Sequence, residues 1–323
     1  MKFTPLFLLA AAAPTLAFAQ TPTQLPPYPG RPIRLIVPSA PGGSPDISSR
    51  MLAPEITRQM GQQLVVDNRS GAGGVIGYEM VAKAPADGYT IGYATFALST
   101  VPALLSNLRY DAMRDLQMVM HLTSTPNVLA VFPGLPVKSI EDLLAHARKN
   151  PGTLHFGSSG SGTSLHLAGA LLMSMTGVNL VHLPYKGVDQ AVVATVGGES
   201  QLIIHNSAPM VPHVKAGRVR GLAVTTARRV PTLPELPTVS EAGVPGYEIA
   251  PWGGIMAPKG LPKDILARLN REFNIALKTK VVQDTYAAAG VEAMGGSPEQ
   301  FTEFLRKETE KWGTLIRKLG LKA

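Results

Sequence analysis

Leu154–Leu167 reads LHFGSSGSGTSLHL. Leu154 and Phe156 alternate like a short strand. Gly157, Gly160 and Gly162 are then interleaved with Ser158, Ser159 and Ser161. Thr163 and Ser164 open a helical pattern that places Leu165, Ala168, Leu171, Leu172 and Met175 on one face. A strand that feeds a Gly/Ser turn at a helix start presents bare backbone N–H groups and hydroxyls to one point, and the helix dipole favours an anion there. The loop carries no full-length charged side chain, so the charge it selects is negative and is held by dipoles. A flexible turn capped by Thr or Ser explains the same residues, and a second loop of the same kind decides between the two.

That second loop follows Ile33–Val37, a β-rich run reading IRLIV. Pro38-Ser39-Ala40-Pro41-Gly42-Gly43-Ser44-Pro45-Asp46 leads into a helical pattern with Ile47, Met51, Leu52, Ile56 and Met60 on one side and Gly61 as its stop. Gly42 and Gly43 admit close approach to the backbone. An acidic side chain facing an anion repels it, so Asp46 is expected to brace the loop.

Further strands are read at 63–67, 89–95, 128–132, 180–183, 201–204 and 220–225, with helices at 75–84, 140–148, 188–196 and 208–216. The G-x-G-x-x-x-G string at Gly71, Gly73 and Gly77 follows the second strand. No acidic residue ends the next strand to hold a ribose, so a tight strand-to-helix turn is the better reading. Two β-α-β-α-β runs in succession imply parallel sheets, each with a Gly/Ser loop beyond a strand's carboxyl end. Two such sheets facing each other enclose a ligand between them. Two helices with strong apolar faces close the chain, 265–277 and 298–319, the latter capped by Ser297.

Composition narrows the function classes. The 323 residues are 45% apolar and 16% charged, enough for two domains. The absence of cysteine excludes disulfides, Cys-based zinc sites and thiol catalysis. Lys2, the apolar run Leu6–Ala13 and Ala17-Phe18-Ala19 before Gln20 form an export signal at 1–19. The run is too short for the roughly 20 residues a bilayer demands. A soluble exported protein, cleaved near Ala19, is the expectation. The formal charge of +8 is scattered and only 6% of residues are aromatic, which argues against a nucleic-acid partner. The seven histidines show no metal-binding spacing, and neither metal nor cofactor is expected.

Eight motifs occur in order: IRLIVPSAPGGSPD, VVDNRSGAGGVIG, APADGYT, GSSGSGTSLHLAG, HLPYKG, VKAGRVRGLAVT, LPTVSEAGVPGYE and Trp252-Gly253-Gly254. Together they resemble the Bug family, the periplasmic substrate-binding proteins of tripartite tricarboxylate transporters. The resemblance runs from about Tyr28 to the C-terminus. It implies a type II periplasmic-binding-protein fold, two α/β domains with a ligand cleft between them, here 28–124 plus 226–323 and 125–225. It implies a periplasmic monomer that captures a di- or tricarboxylate, amino acid or aromatic acid and passes it to membrane permease subunits. The first-domain loop is carried over onto Ser39, Ala40, Pro41, Gly42, Gly43 and Asp46. The second-domain loop falls on Ser158, Gly160, Ser161, Gly162, Thr163 and His166, with His166 as a helix-start brace. Phe96, Asn127, Tyr185, Asn206 and Trp252 are candidates for the variable shell, with Tyr185 and Trp252 equally readable as packed aromatics. His205 stands where the family commonly has an acidic or amide residue; it either pairs with a second ligand carboxylate or bonds its neighbouring loop. Pro45 replaces the family's usual threonine and removes a hydroxyl and a backbone donor.

Two other functions compete with this one. A secreted serine hydrolase using Ser158, Ser159 or Ser161 needs a base and an orienting acid, and no G-x-S-x-G elbow surrounds these serines. A ligand-sensing partner of a signalling protein would use the same cleft.

Overall fold

The computed structural model describes residues 28–185 and 188–321. The export signal and Lys186-Gly187 lie outside the described residues. Two mixed sheets organise the chain. In the first, β1 (Ile33–Val37) pairs in parallel with β2 (Leu64–Asn68) and β3 (Thr90–Thr95). Between them run α1 (Ser44–Met60) and, after a 3-10 turn at Ala72–Gly74, α2 (Val75–Ala82). Apart from Arg34, which pairs with Asp67, β1 is apolar and buried because helices cover both its faces. The first turn of α1 carries Pro45, and Gly61 in the left-handed region closes it with its N–H donated to Thr57 O.

The chain then forms α3 (Ala97–Leu104), α4 (Ala112–Asp115) and β4 (Leu116–Ser124). β4 leads through Thr125-Pro126 straight into β5 (Asn127–Val131) of the second sheet. That sheet adds α5 (Ile140–Lys149), β6 (His155–Ser158), α6 (Ser164–Thr176), β7 (Val181–Pro184), α7 (Val188–Val196), β8 (Leu202–Asn206), α8 (Ser207–Lys215) and β9 (Arg220–Val224). Its strand order is β7-β6-β8-β5-β9. The chain returns as β10 (Trp252–Pro258) and closes with α9 (Lys263–Lys278), α10 (Lys280–Ala288), β11 (Glu292–Ala293) and α11 (Pro298–Lys318). The first sheet reads β11-β4-β10-β3-β1-β2. α9 packs on α1 and β4, and α11 packs on α3 and β4. Ser297 and Gln300 form a reciprocal capping box at the start of α11.

Three features depart from the sequence reading. The sheets are mixed, not parallel: β5 is antiparallel to β8 and β9, and β10 to β3 and β4. The cause is the crossing itself, since a strand that passes directly between lobes enters the second sheet head-on. β10 is invisible to alternation because both its faces are buried and Gly253 and Gly254 interrupt it. Those glycines are forced by aromatic rings: a Cβ at Gly253 would lie 2.0 Å from Tyr93 Oη, and one at Gly254 2.1 Å from the Phe301 ring. Met175, expected on the buried face of α6, is 40% exposed, while Leu165–Leu172 are buried.

Candidate functional site

A cleft of about 380 Å³ opens between the two sheets. Four helices begin on it. Ser44 and Pro45 start α1, Phe96 and Ala97 start α3, Thr163 and Ser164 start α6, and Asn206 caps α8; all of these residues line the cleft. Their positive dipole ends converge on one volume. Ser39, Ser159, Tyr93, Thr95 and Thr123 add hydroxyl-bearing side chains, with Tyr93 Oη paired to Thr123 Oγ1 and Thr95 Oγ1 to Tyr78 Oη, and Phe96 and Trp252 add apolar surface. No Asp, Glu, Lys, Arg or His is among the described residues lining it. Such a site favours an anion through dipoles and hydrogen bonds alone.

The first loop is held from beneath. Asp46 is buried and its Oδ2 accepts the Gly42 N–H at 2.9 Å. Its Oδ1 accepts from Asn68 Nδ2 at 3.0 Å and Arg50 Nε at 2.8 Å. Burial pushes the carboxyl up, but these donors outweigh it and hold Asp46 below the usual carboxylate range. Asn68 also donates to Ser39 O at 3.1 Å, so one amide ties both ends of the loop. Ser39 reaches the cleft; Ala40, Pro41, Gly42 and Gly43 are not among its lining residues and form the loop behind it.

The second loop has an equivalent support. Ser158 is fully buried. Its Oγ meets His182 Nε2 at 2.6 Å, accepts the Gly160 N–H at 3.1 Å and lies 3.1 Å from Gly160 O. Thr163 Oγ1 donates to Gly160 O at 2.8 Å and caps α6 by accepting the His166 N–H. Gly162 donates its N–H to His166 Nδ1 at 3.0 Å, so that ring nitrogen carries no proton. The His166 and His182 rings stack at 4.0 Å, and Phe156 lies 4.9 Å from His182. Burial, and then His166, pushes His182 down to about 4; burial also lowers His166. Both rings are therefore neutral braces beneath the loop. Gly162 and Thr163 line the cleft, whereas Ser158, Gly160, Ser161 and His166 do not.

The candidate shell divides. Phe96, Asn206 and Trp252 line the cleft. Asn127 pairs in register with Asn206, is fully buried, and both its amide atoms lack a protein partner among the described residues. His205 is placed away from the cleft: alternation along β8 turns it to the face opposite Asn206, where it is buried with Nδ1 3.2 Å from Asn206 O. Tyr185 is also placed elsewhere, its hydroxyl donating to Glu199 Oε1 at 3.1 Å in a separate depression beside α7. The readings that put these two beside a ligand are corrected by that geometry. Sequence reasoning missed His182 and the hydroxyls of Tyr93, Thr95 and Thr123. The signal available was a run of Tyr and Thr at the ends of strands that meet the cleft.

Ser158 and His182 make a serine–histidine contact. The hydroxyl is out of solvent, and among the described residues no carboxylate bonds His182 to orient it.

Residues 48–321 match the family described as tripartite tricarboxylate transporter family receptor. The protein BugT of Bordetella pertussis is 35% identical over 324 residues, covering 100% of this chain and 99% of its own. A solved structure of Rpa4515 from R. palustris with adipate is 37% identical, with a TM-score of 0.78, covering 91% of this chain and 99% of that one. MatC from Rhodopseudomonas palustris with bound malate is 27% identical, with a TM-score of 0.74, covering 90% of this chain and 100% of that one. The two-lobed architecture expected from the sequence is the one these structures share. With a family match across most of its length and a cleft built for an anion, the chain belongs to the tripartite tricarboxylate transporter receptors.

Proposed function

We propose that this protein captures a small carboxylate in the periplasm and delivers it to the membrane permease subunits of a tripartite tricarboxylate transporter. The observation that carries this reading is the convergence of four helix N-termini on an interlobe cleft with no ionised side chain in its described lining. The adipate and malate held by two similar structures support the same ligand class. Ser39, Ser159, Gly162, Thr163 and Asn206 contact the ligand's polar groups, directly or through water. Phe96 and Trp252 face its carbon skeleton. Asp46, Ser158, His166 and His182 hold the loops.

Ligand binding closes the lobes, and the closed form is what the permease reads. The hinge lies at Thr125-Pro126 and at 249–251. The stretch 226–248, expected with the first domain, moves with the second: Val239 N–H donates to Val224 O and Tyr247 Oη to Ala168 O. The chain is exported and cleaved near Ala19, and the receptor acts as a monomer.

Thermal melting against a panel of carboxylates tests the reading. The panel runs from adipate, malate and citrate through benzoate and terephthalate to amino acids. A ligand at 100 times its dissociation constant stabilises by about 2.7 kcal/mol. A clear rise in Tm with one class supports the proposal. No rise with any member, using protein freed of carried-over ligand, overturns it.

A further inference from the structure

The chain contains two tryptophans, and both donate to one oxygen of one carboxylate. Trp252 Nε1 lies 3.2 Å from Glu308 Oε2, and Trp312 Nε1 lies 2.8 Å from the same atom. Trp252 forms part of the cleft wall. Trp312 is fully buried behind it and meets Phe96, the other aromatic wall, edge-on at 5.1 Å. The rings around Trp252 are edge contacts: Phe301 at 5.6 Å, Phe304 at 5.5 Å and His121 at 6.3 Å. Edge contacts hold the indole within its aromatic cluster, and a hydrogen bond from its N–H adds a directional tie that fixes its tilt. Glu308 is the hydrogen-bond partner that Nε1 of each indole finds.

We propose that Glu308, which does not itself line the cleft, is the positioning residue for its aromatic wall. It sets Trp252 directly and Phe96 through Trp312. Packing alone does not call for a carboxylate here, since α11 is already anchored by Phe301, Leu305, Leu315 and Ile316, all buried. Burying an ionisable group is unfavourable unless its hydrogen bonds compensate. A leucine at 308 would fill the space without that penalty. What it cannot supply is an acceptor that orients two indoles. Burial does push the Glu308 carboxyl up, against the indole bonds and Lys311. The inference rests on the carboxylate-receptor reading, because it assigns the wall a role in holding a ligand.

The test uses the full mature chain with E308Q and E308L. Adipate, malate and benzoate are titrated by calorimetry, and tryptophan emission is followed in parallel. Gln keeps an acceptor oxygen, so E308Q is expected within about threefold of wild type. E308L is expected to bind at least tenfold more weakly and to lose the ligand-induced change in emission. Wild-type emission is also expected to show a transition, above the usual carboxylate range, that E308Q lacks. The other ionisable groups facing the pair are Lys311, Glu248 and His121, and E308Q retains all three. A transition absent from the variant therefore belongs to Glu308, and this measurement decides the matter if E308L does not fold. Wild-type binding with unchanged affinity in E308L, or an emission transition above the usual carboxylate range that persists in E308Q, overturns this inference alone. Wild-type protein that binds none of the panel overturns the receptor reading and this inference with it.

Discussion

Gly290 offers a direct test of lobe closure. It lies in the turn between α10 and β11, on the first-sheet side, with φ of +65°. Its neighbour Val291 lines the cleft. A Cβ at 290 would meet Ala208 Cβ at 2.6 Å, Ala208 Cα at 3.2 Å and Ala208 N at 3.3 Å. Ala208 belongs to α8, on the other sheet, so this is a contact between lobes. Carbon atoms pack at about 3.5–4.0 Å, so G290A requires the two elements to separate by about 1 Å. The substitution acts twice. The left-handed backbone costs an alanine about 1–2 kcal/mol whether the lobes are open or closed, so that part appears as lost stability. The clash exists only with the lobes together, so that part appears as lost affinity. Overpacking of this kind costs about 1–3 kcal/mol, which is roughly a 5- to 150-fold rise in Kd. Calorimetry on wild type, G290A, A208G and the double variant separates the two. A208G removes the atom at 2.6 Å and leaves contacts that a small shift relieves. The double variant is expected to regain most of the lost affinity and none of the lost stability. Unchanged affinity in G290A, or a loss that A208G does not repair, refutes the closure argument.

Three further outcomes follow from the braces. D46A deprives the Gly42 N–H, Asn68 and Arg50 of their shared acceptor, and stability by urea unfolding is expected to fall by about 1–3 kcal/mol. Ligand affinity falls with it, and a variant that binds as well as wild type would show the first loop needs no bracing. S158A breaks the link to His182 and Gly160 and is expected to lower Tm, while wild type and variant alike show no esterase turnover; turnover abolished by the substitution would revive the hydrolase. Acid weakens the fold through its histidines. Burial holds His121 at about 4, and burial with His166 holds His182 at about 4. The unfolded chain protonates these rings near 6.5, so their contribution is complete above that pH and is lost as pH falls toward 4. Tm is expected to drop across that window, less steeply in H182N; a Tm that rises on acidification contradicts the sign.

How far the sequence carried depends on how local each feature is. Both Gly/Ser loops were legible because strand, turn and helix start lie within fifteen residues, and each step has its own signature. Asp46 and His166 read as braces because their partners sit four residues away, at Gly42 and Gly162. His205 and Asn206 are adjacent, and only the observed pairing of β8 shows which of them faces the cleft. β10 was hidden because its two glycines answer to rings on β3 and α11, far away in the chain. Glu308 looked like one more charge on a solvated helix face, and the two indoles that give it meaning come from 56 residues upstream and one turn downstream.

The claim that backbone dipoles and hydroxyls hold a carboxylate is tested most directly by paired titrations. Calorimetry of the ligand-free protein with a carboxylate from the panel that raises Tm, and then with the matching neutral amide, isolates the negative charge. The account predicts saturable one-to-one binding of the carboxylate, weakened at least a hundredfold in the amide. Equal binding of the two, or binding of neither, would contradict it.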